Sequence, residues 1–242
     1  MRPEDVFELR WAGDPRIAPD GSTVAFVAWS IDREENEYSS SIWMVPLDGS
    51  APARQFTSSG KQDAAPRWSP DGNRLAFVSN RDGKTKQLYV IPAAGGEAQQ
   101  LTDLAEDVAE AIWSPDGTRL AFTSRVRDPE YDEEDDKRRR PRRFTRLQFK
   151  LDSEGWIGDR RRHVFAVPAD GSEPPAQLTH GDFEDGQPQW SPDGRRIAFA
   201  SARQDDWDVE VRRDIFFVDA EGGDPVALTK GDAWYEAPSW SP

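Results

Sequence analysis

Cysteine is absent from all 242 residues. Disulfides and thiolate metal sites are excluded with it, although the absence alone does not fix a compartment. Histidine is nearly absent too, with His163 and His180 the only two. Two imidazoles and no thiol fall short of a zinc ligand set, so no metal and no cofactor is expected. Lysine supplies only six of the 31 basic residues. That arginine excess suits bidentate carboxylate pairing, and a GC-rich genome would explain it equally well. No stretch approaches the roughly 20 apolar residues of a membrane helix. The opening Met1-Arg2-Pro3-Glu4-Asp5 has no apolar signal region. These two absences point to a cytoplasmic protein with no membrane partner. Positive charge is outweighed: 45 acidic against 31 basic residues leave a net charge of −14. Such a surface repels phosphate backbones, so nucleic acid is not an expected partner.

What is present is a repeat. Trp68-Ser69-Pro70-Asp71-Gly72 recurs at Trp113-Ser114-Pro115-Asp116-Gly117 and at Trp190-Ser191-Pro192-Asp193-Gly194. Ile17-Ala18-Pro19-Asp20-Gly21 is a weaker copy, and Trp240-Ser241-Pro242 begins a last one. The spacings are 51, 45, 77 and 50 residues. Each copy leads into an apolar run, such as Leu75 to Ser79, and then a second, such as Leu88 to Pro92. A Gly-containing turn follows, and a short run closes the unit: Gln55-Phe56-Thr57, Gln100-Leu101-Thr102, Gln177-Leu178-Thr179 and Ala227-Leu228-Thr229. Runs of this length and composition read as strands. Ser-Pro-Asp-Gly reads as a tight turn: Pro presets φ, Asp bonds the local backbone, and Gly accepts positive φ. The Trp before it is expected to wedge between neighbouring sheets.

The spacing predicts an all-β chain, a β-propeller of four-stranded antiparallel blades. A solenoid fits less well, because its repeats are usually shorter or helical. Residues 1–242 then form a partial propeller: blade 1 over 14–57, blade 2 over 66–102, blade 3 over 110–179, blade 4 over 188–229, and the start of a fifth at 237–242. The 77-residue spacing is explained by an insertion at 126–160 in blade 3. It holds an acidic tract, Asp132 to Asp136, a basic tract, Lys137 to Arg143, and a run from Phe144 to Leu151 that predicts an extra strand. Asp152 to Asp159 reads as a turn.

No catalytic constellation is legible. A nucleophile elbow reads Gly-x-Ser-x-Gly, and no such pentapeptide occurs. His163 opens a predicted strand and His180 follows a blade end, so both read as structural. Asp20, Asp71, Asp116 and Asp193 occur one per turn, which suits turn chemistry better than a calcium loop with its clustered oxygens. The arginine cluster reads as a salt-bridged or solvated loop. Within it, Arg142, Arg143 and Arg146 are the residues best suited to meet a peptide carboxylate, since arginine offers a bidentate fork. No catalytic residue is assigned.

The pattern Trp-Ser-Pro-Asp-Gly-x-x-[Leu/Ile]-Ala-Phe resembles the propeller repeat of TolB-like proteins and of the prolyl oligopeptidase family of serine peptidases. The opening from Pro3 to Gly21 and the insertion from Arg143 to Trp156, leading into Arg161-Arg162-His163-Val164-Phe165, are similar to the acylaminoacyl-peptidase branch. The resemblance implies an N-terminal propeller, commonly seven-bladed, that restricts entry to short peptides. It also implies a C-terminal α/β-hydrolase domain carrying a Ser-Asp-His triad, which this chain does not contain. The alternatives are a TolB-like interaction propeller without activity and a sugar- or lactone-acting propeller enzyme. The scarcity of histidine disfavours the last.

A chain stopping at Trp240-Ser241-Pro242 breaks inside a turn motif, so a piece of a longer protein is expected. Blade edges exposed by such a piece favour association into homo-oligomers or aggregates. Sedimentation of the purified chain is expected to show self-association; a monodisperse, cooperatively melting monomer would overturn that.

Overall fold

The computed structural model describes residues 2–83, 85–131, 138, 140–152, 154–210 and 212–241. The acidic tract Asp132 to Asp136, with Lys137, Arg139, Ser153 and Pro242, lies outside the described residues. Two short 3-10 turns, Pro3–Glu8 and Pro129–Tyr131, are the only helical segments among the described residues. No helix there is long and apolar enough to cross a membrane.

Among the described residues, eighteen strands build four four-stranded antiparallel sheets and one small hairpin. The first sheet is β1 (Arg10–Ile17), β2 (Thr23–Asp32), β3 (Glu37–Pro46) and β4 (Arg54–Gln55), and the second is β5 (Asp63–Trp68), β6 (Arg74–Ser79), β7 (Gln87–Pro92) and β8 (Gln99–Gln100). The third is β9 (Val108–Trp113), β10 (Arg119–Arg127), β13 (Arg160–Pro168) and β14 (Ala176–Gln177). Between β10 and β13 lies the hairpin of β11 (Lys150–Leu151) and β12 (Gly155–Trp156). The fourth sheet is β15 (Gly186–Trp190), β16 (Arg196–Ser201), β17 (Asp214–Asp219) and β18 (Val226–Ala227). Strands follow one another in chain order across each four-stranded sheet.

The chain divides into two compact units. One comprises Met1–Leu104, Asp116–Leu120 and Val167–Pro174; the other comprises Ala105–Pro115, Ala121–Ala166 and Pro175–Pro242. In the first, Ala25, Ile42 and Met44 of the first sheet pack against Leu75, Phe77, Tyr89 and Ile91 of the second. In the other, Val164, Ala166 and Leu178 of the third sheet pack against Trp190, Ile197, Phe199 and Val218 of the fourth.

The repeated turn makes the bonds its residues suggest. Gly72 N donates to Ser69 O at 2.9 Å, and Asn73 N donates to Asp71 Oδ1 at 3.1 Å. Ser69 Oγ donates to Asp71 Oδ1 and accepts from Arg74 N at 2.9 Å. Ser191, Asp193 and Arg196 repeat the arrangement. Gly72, Gly117 and Gly194 have φ of 70°, 69° and 69°, in the left-handed region that favours glycine. The Ser69 hydroxyl and the Asn73 N–H hold the Asp71 carboxyl down at about 2.

The same motif joins successive sheets. Trp68 Nε1 donates to Arg16 O at 3.0 Å, Trp190 Nε1 to Ile112 O at 3.3 Å, and Trp240 Nε1 to Gln189 O at 3.1 Å. In each case the acceptor is the residue just before the equivalent position in the preceding unit. Proline packs on glycine beside it: a Cβ at Gly72 would lie 3.5 Å from Pro19 Cδ, and one at Gly117 would lie 3.4 Å from Pro70 Cδ.

The closing threonine also has a repeated task. Thr57, Thr102, Thr179 and Thr229 Oγ1 accept from the backbone N–H of Ile42, Leu88, Val164 and Ile215, at 2.9–3.0 Å. Gln55, Gln100 and Gln177 donate through Nε2 to the carbonyl of the threonine two residues on. Both bonds satisfy backbone groups where the fourth strand ends.

The first strands of the first, second and fourth sheets carry a bulge, and a positive-φ residue recurs at the same place in every unit. Asp14, Ala65, Glu110, Gln187 and Ala237, each three residues before the Trp position, have φ between 48° and 57°. Such non-glycine residues cost about 1–3 kcal/mol each and persist where surrounding contacts fix them. Here Gln187 N donates to Glu110 Oε2 at 2.8 Å, and Ala237 N donates to Gln187 Oε1 at 2.6 Å.

One sequence expectation is met only in part. Of the run from Phe144 to Leu151, only Lys150–Leu151 is strand, and it pairs with Gly155–Trp156 inside the stretch expected as a turn. Phe144 and Phe149 are five positions apart, so a straight strand would put them on opposite faces. Their rings instead meet at 4.6 Å and both stack near Trp156. Aromatic clustering therefore bends the segment that alternation alone would straighten.

Trp190→Phe keeps a ring in place and removes the indole donor to Ile112 O. It is expected to lower stability by about 1–3 kcal/mol, read as a fall in melting midpoint. An unchanged midpoint would show that this bond does not hold the sheets together.

Candidate functional site

The fourth sheet carries a charged clasp that begins with an ordinary sequence spacing. Asp185 opens the segment leading into β15, and Arg203 follows β16, eighteen residues later. Arg203 Nη2 donates to both Asp185 oxygens, at 2.9 and 2.7 Å. Its guanidinium lies over the rings of Phe183, Phe199 and Phe216, at 4.9–5.6 Å. Asp63 and Arg81 repeat this in the second sheet, at 3.0 Å and over Phe77 and Tyr89. In the third unit the equivalent positions are Val108 and Val126, so both charges are replaced together.

His163 joins the Asp185 clasp. Its Nδ1 lies 3.2 Å from Asp185 Oδ2 and 3.5 Å from Thr179 Oγ1, and the residue is 4% exposed. Burial works against the charge on Asp185, but the His163 bond and the Arg203 guanidinium prevail and hold its carboxyl below the usual range. A general base needs a nucleophile within reach of an open face. His163 is a buried member of a structural clasp.

The third sheet has arginine-rich edges where the second and fourth have their clasp, and the inserted hairpin packs there. Glu154, between β11 and β12, accepts from Arg125 Nε at 2.8 Å and from Arg162 Nη2 at 2.9 Å. Arg125 also donates to Glu184 Oε1 at 3.0 Å and to Arg160 O at 2.9 Å. Arg160 donates to both oxygens of Glu106, at 3.1 and 3.0 Å. Burial opposes the charge on Glu154, and Arg125 and Arg162 more than compensate, lowering its carboxyl below the ordinary value.

Two cavities flank Glu154 and Arg162. One, of about 360 Å³, is walled by Glu106, Arg125 and Arg160. The other, of about 250 Å³, lies between the hairpin and the segment after β16, and its walls include Trp207, Arg212, Arg213 and Trp234. Trp207 is 3% exposed. The Arg161 and Arg146 guanidiniums lie over its ring at 4.9 and 5.7 Å. Among the described residues, no three His, Asp or Glu side chains are grouped to hold a metal ion.

The three arginines proposed from sequence take different positions. Arg142 Nε donates to Asp159 Oδ2 at 2.8 Å, and its guanidinium lies over Trp156 at 5.1 Å. Arg143 is exposed and lines a hollow of about 30 Å³ with Arg142, Phe144 and Trp156. Arg146 donates to Asp182 at 3.0 Å, Asp208 at 3.2 Å and Asp205 O at 2.6 Å. Arg213 and Trp207 lie in no motif, and Glu154 and Arg162 lie in the segments that carry the family resemblance, with no site role read from them. The one signal available was the run Arg160-Arg161-Arg162 immediately before an apolar strand.

Comparison with known proteins fits this architecture. The model of the TolB beta propeller domain matches residues 9–134, and the chain belongs to that family. It is 31% identical to the uncharacterized peptidase YuxL of Bacillus subtilis over 221 residues, 89% of this chain and 33% of that protein. It is 27% identical to dipeptidyl-peptidase 5 of Porphyromonas gingivalis over 268 aligned positions, 100% of this chain and 37% of that one. The chain thus spans about a third of the length of the curated relatives it matches. Among solved structures, the acylaminoacyl peptidase of Pyrococcus horikoshii superposes with a TM-score of 0.71 at 21% identity, over 93% of this chain and 33% of that one. The fold class is therefore the all-β propeller of four-stranded antiparallel blades expected from the repeat.

Asp185→Asn leaves the largely enclosed Arg203 without its counter-charge, a change that typically costs about 3–5 kcal/mol for a buried pair. The folded Asp185 carboxyl titrates below its unfolded value. Its stabilisation is therefore fully present above the unfolded pKa, near 4, and is lost as pH falls through the lower folded one. Melting midpoints between pH 7 and pH 3 are expected to fall less steeply for Asp185→Asn than for the wild type. Parallel curves would assign the acid sensitivity elsewhere.

Proposed function

We propose that this chain is the non-catalytic, substrate-admitting part of the propeller of a serine oligopeptidase of the acylaminoacyl-peptidase type. Its partner is a C-terminal α/β-hydrolase domain, and its substrates are short peptides. The observation that carries this reading is the coverage: 89% of the chain aligns with 33% of a peptidase, which leaves room in the relative for a further domain. The absence of a Gly-x-Ser-x-Gly pentapeptide from these 242 residues is in keeping with it. On this reading the four sheets are blades 1 to 4 of a seven-bladed ring in a cytoplasmic enzyme, with residues 237–242 opening the fifth. Arg142, Arg143 and Arg146 remain proposed substrate contacts; Arg143 has the most exposed position of the three, and Arg146 instead supports Trp207.

A TolB-like interaction propeller without activity is the second reading, favoured by the description of the matching family itself. The coding sequence downstream of Pro242, followed by fluorophosphonate labelling of its full product, separates the two. Further Trp-Ser-Pro-Asp-Gly units leading to Gly-x-Ser-x-Gly, Asp and His, with a labelled serine outside residues 1–242, are expected. A frame that closes the ring and stops without a nucleophile would replace the peptidase reading with the interaction propeller.

A further inference from the structure

The cavity of about 250 Å³ beside Trp207 has seven charged residues in its wall: Glu154, Arg162, Glu184, Asp185, Glu210, Arg212 and Arg213. Six of them have an oppositely charged partner. Glu154 pairs with Arg125 and Arg162, Glu184 with Arg125, Asp185 with Arg203, and Arg212 with Asp206 and Glu210. Arg213 is the one charged residue of this wall with no carboxylate within 4 Å among the described residues. Its Nη2 donates to Ala200 O at 3.1 Å, and its guanidinium lies 6.0 Å from the centroid of Trp234. A guanidinium offers five donors, so most of this one's capacity is unused. Burial weakens its hold on its proton, and the carboxylates of Glu110, Glu236 and Asp185, acting from further away, offset this in part. An uncompensated cation in a partly desolvated wall is costly unless an anion is taken up beside it.

The second observation is independent of charge. The indole N–H of Trp207, in a residue only 3% exposed, finds no acceptor among the described residues. Buried indole donors normally have a partner. Guanidinium and indole N–H are both donors and neither accepts, so the complementary ligand group is an acceptor bearing negative charge. The cavity is smaller than the roughly 300–1,000 Å³ of ordinary small-molecule sites, which suits one terminus or one side chain. Trp234 and Leu151 in the same wall supply apolar surface for the atoms behind the charge.

We propose that this cavity is a carboxylate-binding subsite, in which Arg213 and the indole N–H of Trp207 receive a carboxylate of a short peptide. The peptide as ligand class rests on the peptidase reading above; the anion preference rests on Arg213 and Trp207 alone. Arg161 and Arg146, over the Trp207 ring, act as positioning residues.

The test is titration of the chain with three probes: N-acetyl-trialanine, its C-terminal amide, and N-acetyl-Ala-Glu-Ala amide. Binding is followed by calorimetry and by the ¹⁵N–¹H signal of the Trp207 indole, assigned through its loss in Trp207→Phe. The free acid is expected to bind at least about tenfold more tightly than the amide, as for one charge-assisted pair of about 1.4 kcal/mol, and to shift the indole signal. Arg213→Met is expected to abolish that preference, and Trp207→Phe, which keeps a ring under the arginines, to reduce it a few-fold. Circular dichroism melts establish that the variants are folded; Arg213→Gln, which removes the charge and keeps a polar side chain, serves if Arg213→Met is not. A glutamate probe that matches the acid identifies a side-chain-tolerant carboxylate site, and one that matches the amide identifies a C-terminus site. Equal binding of acid and amide, or an unchanged preference in the Arg213 variant, overturns the proposal. Carboxylate binding that persists while no nucleophile is found downstream would retire the peptidase reading and leave the subsite standing.

Discussion

The indole N–H of three repeat tryptophans, donated to a carbonyl of the preceding unit, is the bond that seats one sheet on its neighbour. It joins Trp68 to Arg16, Trp190 to Ile112 and Trp240 to Gln189. A few residues on, the proline of one turn rests against the glycine of the next. The same five residues thus close a hairpin and seat it on its neighbour. The contact is made at the turn and not by the loops between turns, so unit length is free to vary. Spacings of 45 and 77 residues end in the same motif. A long insertion is tolerated because the strands on either side of it still meet the motif in the same way.

Charge is then distributed around that frame. The second and fourth sheets each bury an aspartate against an arginine stacked on aromatic rings. The third has valine at both positions, and it is there that the inserted hairpin brings Glu154 to Arg125 and Arg162. Buried pairs of this kind add little net stability, but losing one partner is costly because the other charge is stranded. That asymmetry gives the half-buried, unpaired Arg213 its meaning. In a region where every other charged wall residue has a partner, Arg213 marks a place for an anion that the protein does not itself provide.

The local grammar was legible in full. Ser-Pro-Asp-Gly requires only neighbours in sequence to make its turn, and period-2 alternation needs only the strand itself, so four-stranded units followed from residues a few positions apart. The shortfall at Phe144 to Leu151, where only Lys150–Leu151 is strand, has the same root. Alternation there was real, but Phe144, Phe149 and Trp156 gain more by clustering than by pointing to alternate faces. Likewise, Arg142, Arg143 and Arg146 could be singled out as an unusual run, while nothing local revealed that Arg142 is held by Asp159 and Arg146 by Asp182.

By itself, then, the sequence determined the repeat, the turn chemistry, the strand content and the family resemblance, since each depends on short-range spacing. Only the tertiary structure decided which charges are paired. Arg125 finds Glu154 and Glu184 at separations of 29 and 59 residues, and Arg146 finds Asp208 at 62. Every charged residue looks alike along the chain. Whether one is neutralised or left over depends on which distant side chains share its low-dielectric surroundings, and folding alone settles that.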